Sequence, residues 1–173
     1  MAGIQTNKPS YEWTSLFDQI VQWWELMQNP NASGNRARLR RARNPDEVEF
    51  IDAYYTLLSP ILALEKNEHR IQFISHRLPL VAGLLSHVTE DTPDESLPIA
   101  MSKKKQGSTN RIISETRFRR ILKTEDDSEL YITLIRVIRM LGNKANVRDI
   151  ATSVMFWNTE TKKTWASKYY LHN

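Results

Sequence analysis

The chain has 173 residues, 40% of them apolar and 25% charged, with five tryptophans and a formal net charge of +4. That is the balance of an ordinary soluble globular chain, enough for one domain or two small lobes sharing a core. The lack of cysteine excludes disulfides, thiolate metal sites and thiol nucleophiles, and no run of about 18 uncharged apolar residues exists to span a membrane.

Met1 to Pro9 lacks the apolar core of a signal peptide, so cytoplasmic residence is expected. Trp13, Leu16, Phe17, Ile20, Trp24 and Met27 recur at three- and four-residue steps and predict a first helix, broken by Asn29-Pro30-Asn31-Ala32-Ser33-Gly34. Arg36-Ala37-Arg38-Leu39-Arg40-Arg41-Ala42-Arg43 follows, five arginines in eight residues with no acid among them. It fits a short helix anchored by Leu39, with Arg36, Arg40 and Arg43 along one side. Asn44 is a suitable N-cap, Pro45 takes the first helical position and Glu47 the capping-box position. A helix opening there should bury Val48, Ile51, Tyr55 and Leu58 and end at Ser59-Pro60. Ile71, Ile74, Leu78, Val81, Leu85 and Val88 continue the pattern, and Pro79 within it predicts a kink or two short helices.

From Thr89 to Asn110 the chain reads as a mobile surface loop and lobe boundary, with one helical turn over Leu97 to Ser102. Ser114 caps a helix burying Phe118, Ile121 and Leu122. Asp127 or Ser128 opens a longer one through Leu130, Leu134, Val137 and Leu141, which stops at Gly142-Asn143. Asn146 starts a helix carrying Val147, Ile150, Val154 and Trp157, and a last helix spans about Glu160 to Leu171. Only Tyr131-Ile132-Thr133-Leu134-Ile135 is β-prone, and it lies in a helical period. The expectation is an all-α fold of about eight helices in two small bundled lobes. Residues 1–100 form the first, with the arginine-rich segment 36–43, and residues 101–173 form a basic second lobe.

Charge is segregated along the chain. Residues 44–100 hold three bases against ten acids, whereas residues 101–173 hold fifteen bases against seven acids. This asymmetry points to a basic surface facing a polyanion. Arginine forks onto two phosphate oxygens and keeps its charge, so the 36–43 cluster favours phosphate. Arg117, Arg120 and Lys123 recur at three-residue steps on one helix, and Arg136 and Arg139 repeat that spacing on the next, where they also suit a helix C-terminus. Lys103-Lys104-Lys105 either solubilises the loop or closes it over a strand.

The inventory for catalysis is poor. His69 and His76 have no third ligand at metal-site spacing, and Asp126-Asp127 is explained by a helix start. No phosphate-cradling glycine loop or nucleophile elbow is present, and no cofactor is implied. Base-reading motifs are lacking too, so any strand contact should follow the backbone and ignore sequence. The tryptophans fall mostly on apolar stripes, with Trp23 and Trp165 as the candidates to stack on bases.

The order Leu39-Arg40-Arg41, Asn44-Pro45-Asp46-Glu47 and Ala53-Tyr54-Tyr55-Thr56-Leu57-Leu58-Ser59-Pro60 resembles the CasB family, the small subunit of the type I-E CRISPR surveillance complex, Cascade. So do Arg117-Phe118-Arg119-Arg120-Ile121-Leu122-Lys123, the Arg136 and Arg139 pair, and Val154-Met155-Phe156-Trp157 leading to Lys162-Lys163. The resemblance implies a two-lobed, non-enzymatic, all-α subunit. Two copies would stack head to tail against Cas7-type backbone subunits, between the large subunit and the tail. The pair would stabilise the R-loop, contacting guide RNA, target strand and displaced strand. Carried onto this chain, the resemblance implies phosphate contacts from Arg40 and Arg41, Arg117 and Lys123, Arg136 or Arg139, and Lys162 and Lys163. The arginine cluster and the helix spacing add Arg36, Arg38, Arg43 and Arg120 to the expected nucleic-acid-binding residues, with both Arg136 and Arg139. Two rival readings are a stand-alone DNA-binding regulator, with a helix-turn-helix over 114–141, and a helical adaptor for acidic protein partners.

Overall fold

In the computed structural model, which describes residues 11–172, helix α1 (Tyr11–Met27) buries Leu16, Phe17, Ile20, Trp23, Trp24 and Met27. The segment read for a signal peptide lies outside the described residues. A 3-10 turn over Pro30–Ala32, capped by the Asn29 side chain, leads into α2 (Ser33–Arg41). Leu39 is fully buried there, as the anchor of an otherwise hydrophilic helix must be. Asn44 caps α3 (Pro45–Val48) through a 2.9 Å bond from the Glu47 N–H. The Glu47 carboxylate reaches back to the Arg43 N–H at 2.8 Å.

The helix expected to run on from Pro45 instead breaks at Phe50 and Ile51, and α4 (Asp52–Leu64) starts afresh. Restarting resets the register, so Tyr54, Leu57 and Ile61 face the core and Tyr55 is exposed. Pro60 does not end α4. It and Thr56, whose carbonyl loses its partner, lie on the solvent side, where water can replace the missing N–H. α5 (Glu68–Leu85) likewise runs unbroken through Pro79, with every residue from Leu78 to Leu85 buried.

α6 (Leu97–Ser102) has no side-chain cap, whereas α7 (Glu115–Lys123) is capped by Ser114, α8 (Asp127–Met140) by Asp126, one residue before the expected opening, α9 (Val147–Met155) by Asn146 and α10 (Thr159–Leu171) by Asn158. The architecture is all-α as expected, with ten α-helices among the described residues where about eight were predicted, partly because of the α3–α4 break. The β-prone run Tyr131 to Ile135 sits inside α8. One buried cluster joins α1, α5, α8 and α9, and the division drawn between residues 100 and 101 falls inside α6, which packs on α10.

The segment 89–110 is more ordered than a surface loop. Glu90–Asp91 (β1) pairs in parallel with Lys144–Ala145 (β2), and the Thr89 N–H donates to the Asn143 carbonyl at 2.8 Å. Lys104 bridges Arg111, flanked by bonds from Lys105 N to Asn110 O (2.9 Å) and from Ile112 N to Lys103 O (2.7 Å). Two-residue strands have no period to read in a sequence, so they leave no signal there. α5 and α8 approach closely at Gly83, where a Cβ would lie 2.6 Å from the Tyr131 ring. The Tyr131 hydroxyl then donates to the Ala42 carbonyl at 3.1 Å and ties the end of α2 to α8.

Candidate nucleic-acid interface

The five arginines of 36–43 do not share one face or one task. Arg36 turns back to cap α1, donating to the Met27 carbonyl at 2.7 Å. That bond satisfies a helix-end acceptor. Arg38 pairs with Asp52 at 3.1 Å and also bonds the Asn35 side chain. Arg43, expected on the same helix face as Arg36 and Arg40, lies beyond the end of α2 and pairs with Glu47 at 3.1 Å. Arg40 is half-buried, its Nε donating to the Ser86 carbonyl at 2.6 Å. Burial, reinforced by the Arg36 charge, lowers its pKa. Arg41 is exposed and carries no hydrogen bond or ion pair among the described residues.

Arg40 opens onto a cleft of about 290 Å³ that it lines with His87, Arg139 and Asn143. Thus α2, the end of α5 and the last turn of α8 bring cations from both halves of the chain to one place. No carboxylate lines the cleft. Burial, followed by the charges of Arg139 and Arg40, depresses the His87 imidazole to about 4, so it is neutral near pH 7.

Next to Arg139, Met140 receives the Arg117 guanidinium, with Nη1 3.5 Å from Sδ. Arg117 in turn lines a second cleft of about 620 Å³ with Lys105, Thr109, Asn110, Arg111, Ile112, Ser114 and Glu115. Arg119 bonds Glu115 and holds its carboxyl below the usual range. Arg139 thus lines the first cleft and Arg117 the second, and Arg117 contacts Met140, the residue after Arg139 on α8. Arg120 and Lys123 continue along α7 and Arg136 lies one turn back on α8, all exposed and without a hydrogen bond or ion pair among the described residues.

The C-terminal lysines stand apart from this arrangement. Lys162 is largely covered, pairs with Glu125 at 2.6 Å and lies 5.6 Å from the Trp157 ring centroid. Lys163 pairs with Glu160 at 3.2 Å on its own helix. Trp23 and Trp165 are buried and hydrogen-bonded to Thr56 and Ser153, so neither presents a face for stacking. Asp127 takes Arg77 and lies 3.5 Å from His76. His87, Asn143 and Arg111 were not legible as site residues, since nothing in their local spacing marks them. Only the tertiary fold carries them to Arg40, Arg139 and Arg117.

These features define a small all-α protein with unpaired cations on α2, α7 and α8; among the described residues no group of three His, Cys, Asp or Glu is placed to hold a metal, and no helix is long and apolar enough to cross a membrane. The family model for CRISPR-associated protein Cse2 matches residues 35–170, and the chain belongs to that family. No curated protein matches it. Among solved structures it is similar to a CRISPR-associated protein of the Cse2 family from Thermus thermophilus, at 20% identity and a TM-score of 0.69 over 89% of this chain and 97% of that one. A structure of CasB from Thermus thermophilus gives 18% identity and a TM-score of 0.66 with the same coverage. A chain in the crystal structure of E. coli Cascade bound to a PAM-containing double-stranded DNA target gives 18% identity and a TM-score of 0.64 over 92% and 94%. The CasB resemblance read from the sequence is thereby borne out.

Proposed function

We propose that this chain is the small subunit of a type I-E Cascade and that its basic track holds nucleic-acid backbone to stabilise the R-loop, without catalysing a reaction. The observation that carries the reading is the convergence of Arg40 and Arg139, nearly a hundred residues apart, on one cleft without a carboxylate. Family membership and the fold shared with a chain of DNA-bound Cascade support it. Exchanging a DNA duplex for an RNA–DNA hybrid is nearly balanced in energy, so contacts to the separated strands can tip it. A subunit serving arbitrary guides must ignore base identity, and phosphate-directed cations do so.

The partners in this proposal are guide RNA, target and displaced strands, Cas7-type backbone subunits, the large subunit and a second copy stacked head to tail. The acidic segment 44–100 offers the complementary face for protein contact: Asp46, Glu49 and Asp52 are exposed around Phe50, which is 88% exposed. The helix-turn-helix reading is disfavoured because the second helix, α8, opens on Asp126, Asp127 and Glu129, whose charge would repel a duplex. R-loop lifetime in the reconstituted complex tests the proposal. Arg117→Ala with Arg139→Ala should shorten it roughly tenfold, equivalent to about 1.4 kcal/mol, with assembly unchanged. Arg41→Ala is a cleaner companion than Arg40→Ala, since Arg40 also holds the end of α5. An unaltered lifetime across several salt concentrations overturns the assignment.

A further inference from the structure

We propose that the cleft formed by Arg40, His87, Arg139 and Asn143 is a discrete phosphate site, seating one phosphodiester of a nucleic-acid strand between the two guanidinium groups, with the His87 imidazole as a third donor. This deepens the reading above and rests on it for the identity of the ligand.

The site is built before a ligand arrives. The bond from Arg40 Nε to the Ser86 carbonyl fixes that side chain while leaving Nη1 and Nη2 without partners among the described residues. Arg139 is exposed and likewise has no hydrogen bond or ion pair among them. Two helices, α5 and α8, end here, and helix C-termini carry partial negative charge, roughly half a unit each. That charge stabilises the guanidinium groups but does not cancel them, and no acid lines the cleft. The excess is positive, and two facing cations invite an anion between them.

His87 supplies the second, independent sign. It is only 5% exposed, and its Nε2 is buried with no hydrogen-bond partner. Buried polar atoms are seldom left so in folded proteins without a role. The ring is held neutral at pH 7 and carries one N–H; with that proton on Nε2, a phosphate oxygen seated at the base of the cleft provides the acceptor that Nε2 lacks. An anion between Arg40 and Arg139 also offsets the charges that depress the imidazole, so binding should raise its pKa. No phenylalanine, tyrosine or tryptophan lines the cleft to stack a base, and the Asn143 backbone carbonyl is occupied by the Thr89 N–H at 2.8 Å.

The test uses the full chain and nitrogen-15 NMR of the His87 imidazole and Arg40 Nε, titrated with inorganic phosphate and, separately, with a short oligothymidylate. Saturable shifts of both signals with the oligonucleotide, and an upward move of the His87 pKa, are expected. Inorganic phosphate should give the same shifts at higher concentration. Arg139→Gln, at an exposed position, should abolish the shifts and weaken oligonucleotide binding roughly tenfold while leaving the melt unchanged. Binding of the oligonucleotide with both signals unmoved overturns the phosphate site and leaves the wider track standing. Shifts with inorganic phosphate alone overturn the phosphodiester assignment in favour of a free-phosphate site. No oligonucleotide binding at all overturns the underlying nucleic-acid reading.

Discussion

Burial beside Arg139 and Arg40 holds the His87 imidazole near 4, against an ordinary value of 6.5. Arg40 faces it from α2 and Arg139 from α8, so no acid on a neighbouring element offsets the effect. A histidine depressed on folding binds fewer protons in the native chain than in the unfolded one. Its contribution to stability is complete above about pH 6.5 and is lost as the pH falls toward 4. Discounted for solvent screening, the loss amounts to about 1–2 kcal/mol. Asp149 acts in the opposite sense. Burial raises its pKa, partly countered by the Leu97 N–H and Lys168, so acidification costs the folded state less there. The His87 effect is therefore read as a difference. Denaturant unfolding at pH 7 and pH 4.5 should show the unsubstituted chain losing about 1–2 kcal/mol more than His87→Gln. Equal losses would mean that the imidazole titrates normally.

Among the elements, α2 is the least self-sufficient, because Leu39 is its one buried residue. Tertiary bonds share the work of holding it: Arg36 to Met27, Arg40 to Ser86, and Tyr131 to Ala42. Leu39→Ala should cost about 2–5 kcal/mol in a thermal or denaturant melt, the range for emptying a fully buried leucine site. An unchanged melt would show that the polar ties alone dock the helix. The same helix shows what was readable beforehand. Leu39 as anchor and Asn44 as cap follow from period and side-chain chemistry, both local properties. The fates of the arginines do not. Arg36, Arg38 and Arg43 look equivalent to Arg41 in sequence, yet each finds an acceptor that the fold alone brings within reach. Pro60 misled for a related reason: proline removes one hydrogen bond, and on the solvent side water takes its place, so α4 runs on; of the two outcomes expected at Pro79, two short helices do not form. The family resemblance was legible because it rests on the order of such local signals, whereas His87 had none.

For the molecule as a whole, the exposed cations without side-chain partners among the described residues gather on α7 and α8 (Arg120, Lys123, Arg136 and Arg139, together with Arg117), with Arg41 at the end of α2 and Lys66, Lys104 and Lys105 in loops. Paired cations share two of these helices: Arg38 of α2 faces Asp52, and Arg119 of α7 faces Glu115. A track of phosphate contacts and a diffuse positive field both bind single strands, but they respond differently to substitution. Each phosphate neutralised on a single strand releases counterions and steepens the dependence of log affinity on log salt by about 0.7. Arg117→Ala, Arg136→Ala and Arg139→Ala together should therefore flatten that slope by about 2, three contacts' worth, equally for oligonucleotides of different sequence. Arg38→Ala with Arg43→Ala removes cations already facing Asp52 and Glu47 and should change the slope by less than about one. If the two sets flatten it in proportion to charge removed, the cations act only through their summed field and the track does not exist. If the first set flattens it and the second does not, the contacts belong to the surface that Arg117 and Met140 join across α7 and α8.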